Sequence, residues 1–148
     1  MKPDVSVYFR ELVRALREDF APKLPTAFEQ GAALRLAMLS QAASEEFDRA
    51  AARRLEENEA MRRLFERASS IVKTPDLLTR LQTVGCLRED SIHVSALDRV
   101  NQTLRDLLIE LHAHVETLAG DDARALEADI WFEFSASTAR RALSIGRF

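Results

Sequence analysis

Little in this sequence bends or ties a chain. Four glycines and four prolines in 148 residues are low against ordinary usage, so few turns are encoded and long helices are favoured. Cys86 is the only cysteine, which excludes an intrachain disulfide and fits a reducing, cytoplasmic setting. It follows Gly85 at the C-terminal end of a short predicted helix, away from the helix N-termini that activate thiols, and reads as a packed loop thiol. No apolar run approaches the roughly 20 residues that span a bilayer. Met1-Lys2-Pro3-Asp4 leads straight into an amphipathic segment, without the apolar core of a signal peptide. There is no basic excess: 21 Lys+Arg against 24 Asp+Glu leave a net charge of −3, which argues against a binder of nucleic-acid backbones. Gly-rich phosphate loops, a nucleophile elbow and kinase elements are all missing. No cofactor is implied.

What is present is helical periodicity. Hydrophobic residues at 47% and charged residues at 30% describe a globular chain. Phe28, Ala32, Leu36, Leu39, Ala43, Phe47, Ala50, Met61, Phe65, Ala68 and Val72 share one side of a helical wheel. The seam turns polar at Arg54, Glu57 and Asn58 and then resumes in phase. A single helix over that stretch would be roughly 70 Å long, so a bend or break is expected near Glu57–Asn58.

Other boundaries follow from caps and breakers. A first helix is predicted from Asp4 to just before Pro22, burying Val5, Tyr8, Phe9, Leu12, Val13, Leu16 and Phe20. Pro22 and Pro25 form a stiff corner, and Thr26 caps the second helix. Thr74 and Pro75 open a short helix over Asp76–Val84, and a loop follows to Val94. Ser95 caps a helix to Ala119 with Leu97, Val100, Leu104, Leu107, Leu108, Leu111, Val115 and Leu118 on its seam. Gly120 stops it. The last helix runs from Asp121 to about Leu143, facing inward with Leu126, Ile130, Trp131, Phe134, Thr138 and Ala142. The expected fold is all-α: one domain over residues 1–148, an up-and-down helical bundle of four long helices and one or two short ones.

Few side chains invite chemistry, and no catalytic set is assigned. The metal candidates are His93, His112 and His114. The last two point about 200° apart on one helix and cannot share an ion. His112 has Glu116 one turn on, and His114 has Glu110 one turn back. Each pair is half of a metal or acid–base site, or simply a surface histidine beside a carboxylate. The Glu-x-x-His signature of di-metal bundles is absent, since Ile109 and Leu111 occupy the positions of its glutamates. Glu127 and Arg141 are charges on an apolar face and need partners from elsewhere, as does Arg54. Ile109 and Phe132 point away from their neighbours' seams; with Arg140, Arg141, Arg147 and the terminal Phe148 they mark a candidate contact surface.

Residues Leu12–Pro25, LVRALREDFAPKLP, followed by Leu34-Arg35-Leu36-Ala37-Met38-Leu39, resemble a family of small uncharacterised helical bacterial proteins. Its members share an acidic–apolar first helix that ends in a Pro-x-Leu corner before an Arg- and Ala-rich second helix. They are encoded beside acyl-CoA dehydrogenase-like and aminoglycoside-phosphotransferase-like enzymes. The resemblance covers about the first third of the chain and implies a helical accessory role near such enzymes. It carries over no catalytic residue.

The leading expectation is a non-catalytic cytoplasmic interaction protein whose partner is another protein or a second copy, as a homodimer. Its first alternative is a bundle that binds a small apolar ligand or acyl chain, with Glu127, His112 or His114 as polar anchors. Its second is a metal-dependent hydrolase or transferase using His93, His112 and His114.

Overall fold

A computed structural model of the chain describes residues 4–144. Among them every regular element is helical and no strand occurs, so the all-α expectation holds. Among the described residues no helix is long and apolar enough to cross a membrane. Helix α1 spans Val5–Arg14, α2 Ala27–Ile71, α3 Pro75–Gly85, α4 Val94–Val115 and α5 Asp121–Arg141. The described residues fall into two compact units, one of 4–49 with 142–144, the other Ala50–Arg141.

In the first unit, α1 continues through a π-helical turn, Ala15–Phe20, and a 3-10 turn, Ala21–Lys23. The helical path therefore passes Pro22, which sits in the first turn of the 3-10 segment, where a missing N–H is harmless. Thr26 caps α2 as expected. Its hydroxyl accepts the Glu29 N–H at 3.2 Å, and the Glu29 carboxylate accepts the Thr26 N–H and O–H at 3.1 and 2.7 Å. Gln30 donates to the Leu24 carbonyl at the corner, and Arg17 to Gln41 farther along. Val5 and Ser6 border the same hollow as Ser44 and Phe47, so α1 runs antiparallel to the first part of α2.

This hairpin closes on small side chains. Its fully buried apolar residues are Ala21, Ala33 and Ala37. The predicted inward face of the first helix is corrected here: Val5, Tyr8, Leu12 and Phe20 are exposed, and α1 buries no residue completely. The start of the long stripe is corrected too. Phe28 is 79% exposed, Leu39 64% and Phe47 62%. The reason is angular. The stripe is centred roughly 110° round the helix from the Ala33 and Ala37 face that α1 occupies.

The second unit has a core. Met61, Phe65 and Ala68 of α2 and Val72 just past its end pack with Leu77 and Leu81 of α3, Leu104, Leu107, Leu108, Leu111 and Val115 of α4, and Leu126 and Ile130 of α5. Each large apolar side chain so buried contributes about 1.5–3 kcal/mol before entropy is counted. Cross-helix contacts give the directions. Arg62 reaches the Leu87 carbonyl just past α3, and Phe65 abuts Gly85, so α3 returns against α2. Arg54 pairs with Asp98 and Asn58 bonds Asn101, so α4 runs with α2. Glu57 meets Arg141 while Arg67 pairs with Asp129, so α5 runs against it. The order is up, down, up, down.

Helix α2 shows no interruption at Glu57–Asn58, contrary to the expected break. Both side chains are buried and fully engaged by neighbouring helices, so the polar stretch of the seam does not have to leave the interior. Helix α4 starts at Val94 with His93 at the N-cap, where its N–H donates to the Ser91 hydroxyl, and Ser95 lies inside the helix. It ends at Val115, before Gly120, whose φ of +113° suits glycine. On α5 the buried residues are Ala123, Leu126, Ile130 and Glu133; Trp131, expected inside, is largely exposed. Cys86 is exposed rather than packed.

Candidate functional site

The polar part of the α2 seam becomes the centre of a buried network in the Ala50–Arg141 unit. Glu57 is 1% exposed. Its carboxylate accepts two hydrogen bonds from the Arg141 guanidinium, at 2.8 and 2.7 Å. Ser137 and Asn101 add bonds of 3.1 and 3.2 Å. Asn101 also donates to Asn58, and Asn58 to Glu89. Glu89 takes Arg62 at 2.8 Å. One chain of bonds thus joins α5, α2, α4 and the loop before α4. Arg141 finds the partner that its place on an apolar face requires, and Arg54 finds Asp98.

Beside this network a cleft of about 190 Å³ opens between α4 and α5 over α2. Glu57, Met61, Arg105, Ile109, Glu133 and Arg141 line it. Burial alone would push Glu57 up; Arg141, with Ser137 and Asn101, outweighs it and holds the carboxyl below its ordinary range. Glu89 is likewise desolvated and is held down by Arg62 and Asn58. Glu133 goes the other way. Its burial exceeds what the ion pair with Arg140 offsets, and the Glu57 charge adds to the rise.

These shifts act in separate windows. Stability from Glu57 and Glu89 is complete above the ordinary carboxyl value of 4.5 and is lost as pH falls through their lowered values. Glu133 keeps its proton in the folded chain above 4.5, where the unfolded chain releases it, so stability falls as pH rises toward its raised value. Glu133→Gln is expected to flatten that decline, measured by urea denaturation at a series of pH values. An unchanged slope would refute the assignment.

The sequence candidates disperse. Ile109, 65% exposed, lies on the cleft with Arg141. Phe132, 75% exposed, does not line it. Arg140 is bound to Glu133. His93, the N-cap of α4, lies 19 residues before His112, about 28 Å away along the helix, and cannot join it. Glu110, expected beside His114, pairs with Arg80 instead. His112, Glu116 and Glu127 do converge, with one potential ligand atom from each lying within 4.8 Å of the others. Arg147 and Phe148 fall outside the described residues.

Sequence reasoning missed Glu133, Glu89 and Asn101. Glu133 had a signal, because it continues the i, i+3, i+7 series of Ala123, Leu126 and Ile130. Asn101 sits in the Leu97–Leu104 seam, where a polar residue asks for a partner. Glu89 belongs to a loop and carries no periodic signal. No family model matches the chain, and no curated protein or solved structure matches it.

Proposed function

We propose that this chain is a helical accessory protein that acts by docking as a homodimer, helix against helix, with no catalysis of its own. One observation carries the reading. A single in-phase stripe is covered in the Ala50–Arg141 unit and bare in the other: Met61, Phe65, Ala68 and Val72 are buried, whereas Phe28, Leu36, Leu39 and Phe47 are exposed. Exposed apolar residues scattered singly are ordinary, but a contiguous row of them marks an interface.

The row itself points to a second copy. Read forward it is Phe28, Ala32, Leu36, Leu39, Ala43, Phe47, and read backward it is the same. Its steps of four, four, three, four and four residues are also palindromic. A two-fold axis between Ala37 and Met38 therefore sets Phe28 against Phe47, Ala32 against Ala43 and Leu36 against Leu39 of an antiparallel copy. Such reciprocity is what an isologous interface demands. Two alanine-closed hairpins would then complete a four-helix bundle. The four large stripe residues expose on the order of 500 Å² per copy, more than half of the ~800 Å² per partner of a standard interface. The docking surface is thus assigned to the stripe in place of Ile109, Phe132, Arg140 and Arg141, whose arginines are already engaged within the chain.

Light scattering at 100 µM is expected to give twice the chain mass. Leu36→Asp with Leu39→Asp is expected to give monomers with helical circular dichroism retained. In a Cys86→Ser background, mixing Leu36→Cys with Leu39→Cys should form the mixed disulfide in preference to either self-pair. A wild-type monomer at that concentration would end the proposal. The resemblance of the first third of the chain supports an accessory role near acyl-CoA dehydrogenase-like and aminoglycoside-phosphotransferase-like enzymes.

A small-ligand reading has one observation in its favour, the 190 Å³ cleft. Two buried carboxylates and two arginines on its walls suit a compact polar ligand over an acyl chain. None of the expected anchors Glu127, His112 and His114 lines it.

A further inference from the structure

We infer that His112, Glu116 and Glu127 form a zinc(II) site at the end of the four-helix unit where α4 turns into α5. The proposal is independent of dimerisation. His112 lies in the last turn of α4, Glu116 at its C-cap, and Glu127 on α5, so the site closes only because the two helices pack.

Three observations point to a ligand. First, the group is chemically mixed: one imidazole nitrogen and two carboxylates are a donor set that zinc accepts. Second, His112 Nε2 is buried and has no hydrogen-bond partner. Its nearest acid oxygen, on Glu116, stands 3.8 Å away, too far for a hydrogen bond. An orphaned buried nitrogen asks for a proton acceptor or a metal. Third, the imidazole is held. It meets Trp131 and Phe134 edge to face at 5.1 and 5.6 Å, which fixes the ring and keeps water from its flanks.

The geometry is within reach. Tetrahedral zinc with ligands at 2.0–2.2 Å sets ligand atoms about 3.3 Å apart. Closing 3.8 Å, or at most 4.8 Å, to that separation takes small rotations of two glutamate side chains that are not locked in the core. Three protein ligands leave a fourth position for water. Hard cations such as magnesium prefer all-oxygen shells and should bind poorly.

Trp131 is the chain's only tryptophan, and it touches His112. Cobalt(II), a spectroscopic stand-in for zinc, should therefore quench its fluorescence on binding. Untagged protein is expected to show saturable quenching at one ion per chain below 100 µM, reversed by zinc and untouched by magnesium. Glu127→Gln should weaken it at least tenfold, and His112→Gln should abolish it with circular dichroism unchanged. His93→Ala and His114→Ala should leave it intact. No saturable quenching in the wild type, or quenching that survives Glu127→Gln unweakened, overturns the site. Since Glu127 is half-buried and its replacement keeps the shape, that arm decides even where His112→Gln misfolds.

Discussion

Arg141→Met is expected to lower the unfolding free energy by about 1–3 kcal/mol, the cost of leaving a buried carboxylate without its charged donor. Arg141 itself is partly open to solvent and gives up little. The loss falls on Glu57, whose carboxylate is 1% exposed and takes its two shortest bonds from that guanidinium. Asn101 and Ser137 remain, but they are neutral donors at 3.2 and 3.1 Å and cannot balance a charge. A second substitution separates lost charge from lost packing. Adding Glu57→Gln removes the stranded charge and keeps the shape, so it should restore most of the stability. Acidity supplies an independent check. With Arg141 gone, burial prevails and the Glu57 carboxyl rises, so the variant's deficit should shrink as pH falls toward 4.5. Chemical denaturation at pH 7 and pH 5 reads both effects. A deficit under 1 kcal/mol, or one that Glu57→Gln deepens, would show that the network is not arranged around Glu57.

Much of this was legible in the sequence. Helix punctuation is local, and so Thr26, Pro75 and Asp121 mark their boundaries well, whereas α4 ends at Val115, short of the expected stop at Gly120. The α4 seam was also plain, because Leu97 to Val115 carries an apolar period, interrupted only at Asn101, that burial explains. The failures share one cause: periodicity says which face is apolar, not what covers it. Phe28 to Phe47 has the period of a buried stripe, yet the hairpin closes on Ala33 and Ala37 instead. The polar interval at Glu57 and Asn58 looked like a break because its partners, Arg141 and Glu89, lie 84 and 31 residues away. Long-range pairing of charges leaves no trace in local spacing. The His112 group was half visible for the same reason, with Glu116 one turn away and Glu127 across a helix junction.

Phe65→Ala and Phe47→Ala should have opposite consequences although the two residues share a wheel position. They are 18 residues apart, five turns of 3.6 residues. Phe65 is 1% exposed in the core of the second unit, against Gly85 of α3. Its truncation leaves a cavity that the surrounding leucines cannot fill and should cost about 3–5 kcal/mol. That loss should not depend on protein concentration, because no other chain takes part. Phe47 is 62% exposed and lies at the edge of a surface hollow, outside any core of its own chain. Its truncation should leave the monomer's stability within roughly 0.5 kcal/mol while weakening self-association. The two-fold pairing sets Phe47 against Phe28 of the second copy twice over, so one substitution removes two contacts. Stability that depends on association depends on concentration. Thermal melts from 2 to 200 µM should therefore rise with concentration for the wild type and for Phe65→Ala, and flatten for Phe47→Ala. If Phe47→Ala instead lowers the melt equally at every concentration, the side chain is already covered within its own chain. The bare stripe would then be no interface, and the palindrome in its sequence would have no structural consequence.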